Sequence, residues 1–302
     1  MTRPATVQNA GLGILLMLVT YAFFAGVDTS VKWLVTLGIP ALQLAFMRYF
    51  GQFILTLGAM ARHGMPAIRI ERHLMMLSFL RAALLMSATV LNFFVLKYLS
   101  LTLTSAILFA SPIVVSALSG PLLGEKVGPW RWFAIVLGFV GVLVIVRPFS
   151  ETVHWTAILM LWNPVAFGLF SILTRRLSDV VETDTLQFHV GALGSVILLP
   201  FAILTWQNPE NLRDWILLFG IGFWAWAGHE IFIRAHRFAP ASTLMPYTYS
   251  LIIYMTATGV LIFGDIPDAL TILGAAIIVS AGLLIWWRER ARARRVVRPV
   301  PQ

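Results

Sequence analysis

Residues 110–148 read ASPIVVSALSGPLLGEKVGPWRWFAIVLGFVGVLVIVRP. Two apolar runs flank a tight charged turn, Gly124-Glu125-Lys126, and Gly128-Pro129 restart the chain as a helix. Each run is long enough to cross a bilayer core, since about 20 residues at 1.5 Å apiece cover roughly 30 Å. Gly138 and Gly141 in the second run allow a neighbouring helix to come close. The stretch reads as a membrane hairpin.

The chain holds a second version. Residues 247–287, YTYSLIIYMTATGVLIFGDIPDALTILGAAIIVSAGLLIWW, place Gly264-Asp265 on Gly124-Glu125 at an offset of 140 residues. The same offset puts Arg237-Phe238 on Lys97-Tyr98, and Leu186-Gln187 falls on Leu42-Gln43 at 144. A 302-residue chain with its pattern repeated near 140 reads as two halves of one ancestral unit.

Composition narrows the class. Apolar residues make up 59%, charged residues 12%, and mean hydropathy is +0.85, whereas soluble domains carry about 25% charged residues. The net charge of +9 is concentrated in residues 288–298, RERARARRVVR, directly after an apolar run. That is a positive-inside anchor rather than a nucleic-acid surface. With no cysteine, disulfides and thiolate metal sites are excluded. The first apolar run, 10–27, is longer than a signal h-region and follows only one charge, Arg3, so it reads as a retained span.

Ten spans are predicted, at 10–28, 41–60, 74–96, 102–122, 129–147, 154–174, 185–205, 214–234, 242–263 and 268–287. Five per half is an odd number, so the second half enters the membrane inverted. With the N-terminus inside, sixteen Lys and Arg fall on inner segments, against Lys32, Lys97, Arg147 and Arg213 outside. Both termini are therefore expected in the cytoplasm. Trp130, Trp132, Trp155, Trp206, Trp215, Trp286 and Trp287 fall near span ends, as an interfacial belt requires.

The segment GEKVGPWRWFAIVLGFVGVLVIVRP, with Asp28-x3-Lys32-Trp33 and Pro40-x2-Gln43-x4-Arg48 earlier, resembles the EamA-type half of the drug/metabolite transporter superfamily. The second half departs from that pattern, with Asp265 for the Glu and no terminal Arg-Pro. The resemblance implies an all-α polytopic protein of the bacterial inner membrane, with ten helices in two inverted five-helix repeats (1–148 and 149–287) and a basic tail (288–302). It further implies alternating-access transport of small metabolites, with export of amino acids the first expectation. Uptake or exchange of S-adenosylmethionine or nucleotide-like metabolites is an alternative. The expected cavity lies between the halves, lined by spans 1, 3, 4, 6, 8 and 9, with spans 5 and 10 behind it.

Polar groups inside a bilayer are expensive and mark candidate sites. Asn163, near the middle of span 6, precedes Pro164, which removes a backbone hydrogen bond and kinks the helix. The amide suits a polar substrate or an interhelical bond. Trp162, Trp224 and Trp226 lie away from the interfaces, where rings can stack on a flat or cationic substrate or pack against lipid. Tyr247, Tyr249 and Tyr254 follow Pro246 in span 9, and Asn92 adds an amide in span 3. Pro112, Pro164 and Pro246 are candidate hinges. Asp28 has two candidate partners, Lys32 or Arg48, either giving a structural tie or an outer gate. Arg81 could bind a carboxylate or snorkel to the interface. His229-Glu230 could carry a coupling proton, with pairing of Glu230 to Arg81 or Arg234 as the alternative. His189 and Gln187 read as contacts between helices.

No phosphate-binding loop, catalytic order or metal spacing stands out, so neither ATP-driven transport nor a cofactor is expected. Expected partners are a small-molecule substrate and the bilayer, with no nucleic acid, in a monomer or homodimer. A membrane-embedded lipid-modifying enzyme and a channel are the competing classes.

Overall fold

The computed structural model describes residues 10–63, 70–111, 113–115, 117–118, 129–147, 154–177, 180–238 and 244–296. The turn at Gly124-Glu125-Lys126 and the candidate hinge Pro112 lie outside them. Among the described residues the regular elements are all helices, without a strand: α1 Ala10–Thr36, α2 Ala41–His63, α3 Arg72–Val95, α4 Leu101–Leu108 and α5 Pro129–Val146, then α6 Thr156–Met160, α7 Trp162–Leu177, α8 Thr183–Leu204, α9 Leu212–Phe238, α10 Ser250–Phe263 and α11 Ala269–Val296. A 3₁₀ turn, Met245–Tyr249, leads into α10 and carries Pro246 in its first turn. Seven segments are long and apolar enough to cross a membrane, one of them running across the α6–α7 junction. Three apolar helical segments are shorter: Leu101–Val115, Trp132–Val146 and Tyr247–Phe263.

Sequence explains the interruptions. Pro164 lacks an N–H, and its ring crowds the carbonyl four residues back, that of Met160, where α6 ends. The Leu161 N–H bonds instead to Ile158, and α7 begins one residue later. The apolar runs also understate helix length. α1 continues through Asp28 and Lys32 to Thr36, eight residues beyond the predicted end of span 1, because both charges find partners inside the protein. α11 runs on from its apolar part into the Arg/Ala-rich stretch as far as Val296, residue types that favour helix.

α9 and α10 both pack on α1; α2 lies between α8 and α9; α3 lies against α7 and α8; α5 packs on α11; and α4 touches α10 and α11. Apolar packing alone separates helices poorly from lipid, so close backbone contact carries the association. At the α2–α9 crossing a Cβ on Gly51 would sit 2.9 Å from the Gly222 Cα, and one on Gly222 2.7 Å from the Gly51 Cα. α5 and α11 meet in the same way: a Cβ on Gly274 would lie 2.8 Å from the Gly141 carbonyl. Gly138 accommodates Ile113.

At one end of this second pair Arg147 bonds Asp268 at 2.6 Å, and Asp268 caps α11 by accepting the Thr271 N–H at 2.7 Å. Burial acts to raise the Asp268 pKa, but the bonds from Thr271 and Arg147 outweigh it and hold the carboxyl below its usual range. Stability from this group is complete above the ordinary carboxylate pKa of about 4 and is lost as pH falls through the lowered value. Wild type and Asp268→Asn are therefore expected to differ in melting temperature at about pH 6 and to converge as pH falls below the lowered value.

Candidate functional site

Three tiers of polar side chains cross the bundle. The first gathers at the C-terminal end of α1. Lys32 is buried and donates to the Leu99 carbonyl at 3.1 Å and to the Asp265 carboxylate in the loop after α10. Trp33 donates its indole N–H to Asp214 of α9 at 3.0 Å, under the Arg213 guanidinium. Gln43 at the start of α2 grips the Gln207 backbone at both its N–H and C=O, each at 2.8 Å. The Lys32–Asp265, Trp33–Asp214 and Gln43–Gln207 contacts each join an element before residue 148 to one after it.

The second tier lies deeper. Asn92 of α3 donates to Asp28 of α1 at 3.0 Å. Arg48 and Tyr49 of α2 both donate to Thr89 of α3, at 3.1 and 2.9 Å. The Arg48 charge acts through space on Asp28 and on His229 of α9. Asp28 and His229 are both half-buried. Phe24 presents its ring to His229 at 5.0 Å. Carboxylate, guanidinium and amide thus converge from α1, α2 and α3, within a bundle whose surroundings penalise each of them.

The third tier is nearer the opposite end. Gln52 bonds Gln187 at 3.2 Å and Ser78 bonds His189 at 2.9 Å, the interhelical roles expected for both α8 residues. Arg81 is 6% exposed, so it does not snorkel out. Its guanidinium lies over Phe170 and bonds Thr174 at 2.6 Å in the last turns of α7, where a cation balances the helix dipole.

Other candidates separate from this interior. Asp28 pairs with neither Lys32 nor Arg48 directly; Lys32 takes Asp265 instead. Asn163 is buried and donates to the Ala88 carbonyl of α3 at 3.1 Å, the interhelical arrangement. Trp162 is 44% exposed and bonds Ser87. Trp226 is half-buried beside Phe223 on α9, and Trp224 packs over Gly26 of α1. Tyr249 directs its hydroxyl at Gly282 of α11, while Tyr247 joins a small apolar cluster with Met17, Ala235 and Leu244. Glu230 is paired with Arg234 at 3.0 Å, at a partly exposed position.

Sequence reasoning missed Thr89, Tyr49, Asp214 and the Gln43 clamp. Asp265 was visible only as the stand-in for Glu125, and Thr89 carried no signal. Substituting Asp265→Asn leaves the buried Lys32 ammonium without its counter-charge. It is expected to lower stability by about 1–3 kcal/mol, read as a lower melting temperature of the purified protein.

This architecture defines a polytopic helical membrane protein with a polar interior. The chain belongs to the EamA-like transporter family, within the drug/metabolite transporter superfamily: the family model matches residues 11–147 and again residues 154–287. The chain is 28% identical over 299 residues to a riboflavin transporter of Rhizobium johnstonii, covering 95% of each. It is 30% identical over 190 residues to a riboflavin transporter of Vibrio cholerae, covering 63% of this chain and 64% of that one. An S-adenosylmethionine uptake transporter of Rickettsia prowazekii is 25% identical over 263 residues, 87% of this chain and 88% of that one. A crystal structure superposes with a TM-score of 0.62 at 16% identity, over 97% of this chain and 100% of the other, a likeness of fold alone.

Proposed function

We propose that the protein is a secondary active transporter of small polar organic metabolites across the bacterial inner membrane, working by alternating access. The observation that carries this reading is the Asp28–Asn92 and Arg48–Thr89 set, held inside the bundle on three helices. A scaffold has no need of charges at that depth.

The reading includes ten spans in two inverted repeats, residues 1–148 and 149–287, with a cytoplasmic tail and both termini inside. The two family matches support it. So does the packing: exchanging the halves turns the α1–α9 contact into the α7–α3 contact and maps α2–α8 and α5–α11 onto themselves. The positive-inside count supports the orientation. Under this orientation the tier at Lys32 closes the periplasmic end, and Glu230, paired with Arg234 one turn on, lies at the cytoplasmic end of α9.

The relatives' substrates guide the choice of solute. Riboflavin and S-adenosylmethionine both carry a fused heteroaromatic ring with hydrogen-bonding edges, and the Phe24–His229 pair beside Asp28 and Asn92 offers matching partners. Amino acids remain in the test panel, and both directions of flux are measured. Protein in liposomes preloaded with unlabelled riboflavin, S-adenosylmethionine or an aromatic amino acid should accumulate the matching labelled solute saturably, with trans-stimulation. Flux without saturation would indicate a channel, and chemical conversion of lipid an enzyme; either overturns the proposal.

A further inference from the structure

α9 and α10 flank one stripe of α1, and the stripe between them is built of small residues. A cavity of about 310 Å³ is lined there by Ala22, Gly26 and Thr29 of α1, Trp224 of α9, and Tyr254 and Ala257 of α10. A second, of about 230 Å³, shares Thr29 and continues past Leu217 to Trp33 and Arg213. Together they form one groove along α1. On α1 its lining residues Ala22, Gly26 and Thr29 share a face that is not the face of Asp28, and Ala22 and Ala257 in its floor and wall are exposed.

Its chemistry is apolar despite the hydroxyls. Thr29 bonds Thr258, Ser30 bonds the Gly26 carbonyl, and Thr258 bonds the Tyr254 carbonyl. Those hydroxyls are engaged within the protein, so methyl groups, ring faces and bare backbone line the groove. A polar metabolite gains little there; a hydrocarbon chain gains contact along its length. From Ala22 to Trp33 α1 rises roughly 16 Å, close to half of a hydrocarbon core of roughly 30 Å, the depth of one leaflet. At the Trp33 end stands the Arg213 guanidinium, 60% exposed and stacked 4.2 Å from the indole ring. It already shares Asp214 and keeps an exposed edge.

We infer that this groove is a phospholipid site: one acyl chain lies along Ala22, Gly26 and Ala257 between α9 and α10, and the lipid phosphate rests on Arg213. The lipid fills the seam between two helices that are joined chiefly through α1, and so ties α10 to α9. The site is separate from the proposed solute pathway, and its test does not depend on transport.

The test uses the full chain purified in detergent, with native mass spectrometry to count retained phospholipid. Thermal unfolding then follows delipidation and return of palmitoyl-oleoyl phosphatidylethanolamine or phosphatidylglycerol. Wild type should retain one phospholipid and regain its melting temperature when either lipid is returned. Gly26→Leu, which fills the floor under Trp224, should retain none. If that variant does not fold, Arg213→Gln carries the test: lipid affinity should fall about fivefold, the worth of one interfacial cation. Equal retention and equal thermal recovery in wild type and Arg213→Gln would overturn the assignment. Displacement of the lipid by riboflavin or S-adenosylmethionine would also overturn it, by making the groove a solute route. A wild-type protein that keeps its lipid but shows no counterflow counts against transport alone.

Discussion

Leucine at Gly51 or Gly222 is expected to separate α2 from α9 and to lower stability by about 3 kcal/mol or more, the upper end of overpacking penalties. At each position the first added carbon already falls within 3 Å of the opposing helix's Cα, and backbone cannot rotate aside as a side chain does. Gly51→Ala should do measurable harm, and the leucine variants should elute largely as aggregate. Gly58 on the same helix supplies the control, because nothing stands within 4 Å of its missing side chain. Gly58→Leu should melt with the wild type. If Gly51→Leu and Gly58→Leu melt together, the described α2–α9 contact is wrong.

The second large effect is on transport. Asp28→Asn and Arg48→Gln are each expected to reduce counterflow about a hundredfold while leaving a folded protein. Asn at position 28 can keep its contact with Asn92, and Tyr49 still donates to Thr89 when position 48 is Gln, so the network of hydrogen bonds survives in part. What disappears is the balance of charge within the interior. The double variant should recover melting temperature relative to the worse single variant without recovering flux, a non-additivity that marks coupled groups. Counterflow at wild-type rates in either single variant would remove these residues from the solute pathway.

Much of the fold was open to sequence reading because long apolar runs have few alternatives. Pro129 begins α5 where predicted, and Asn163-Pro164 marks the α6–α7 break. Gly141 meets α11 as the small-residue argument required. Side-chain direction was less legible. In a helix apolar on every face, periodicity does not distinguish the side facing the interior from the side facing lipid. Trp224 could therefore be placed at mid-depth but not turned onto Gly26. Partners distant along the chain were also hidden. Asp28 stands one turn from Lys32, whereas the carboxylate that Lys32 meets is 233 residues away. Arg81 illustrates a third limit: depth suggested snorkelling, but only the packed position of α7 shows a helix terminus ready to receive the guanidinium.

α11 has a mechanical consequence. At 28 residues it is a single rod roughly 42 Å long, against a hydrocarbon thickness of roughly 30 Å. Its arginine-bearing end therefore stands clear of the lipid as a rigid extension of the intramembrane part. Any tilt of that part during a working cycle swings the projecting end through the same angle. A spin label near Val296 would thus register rearrangements within the bilayer from the aqueous side, as a pointer fixed to a shaft does.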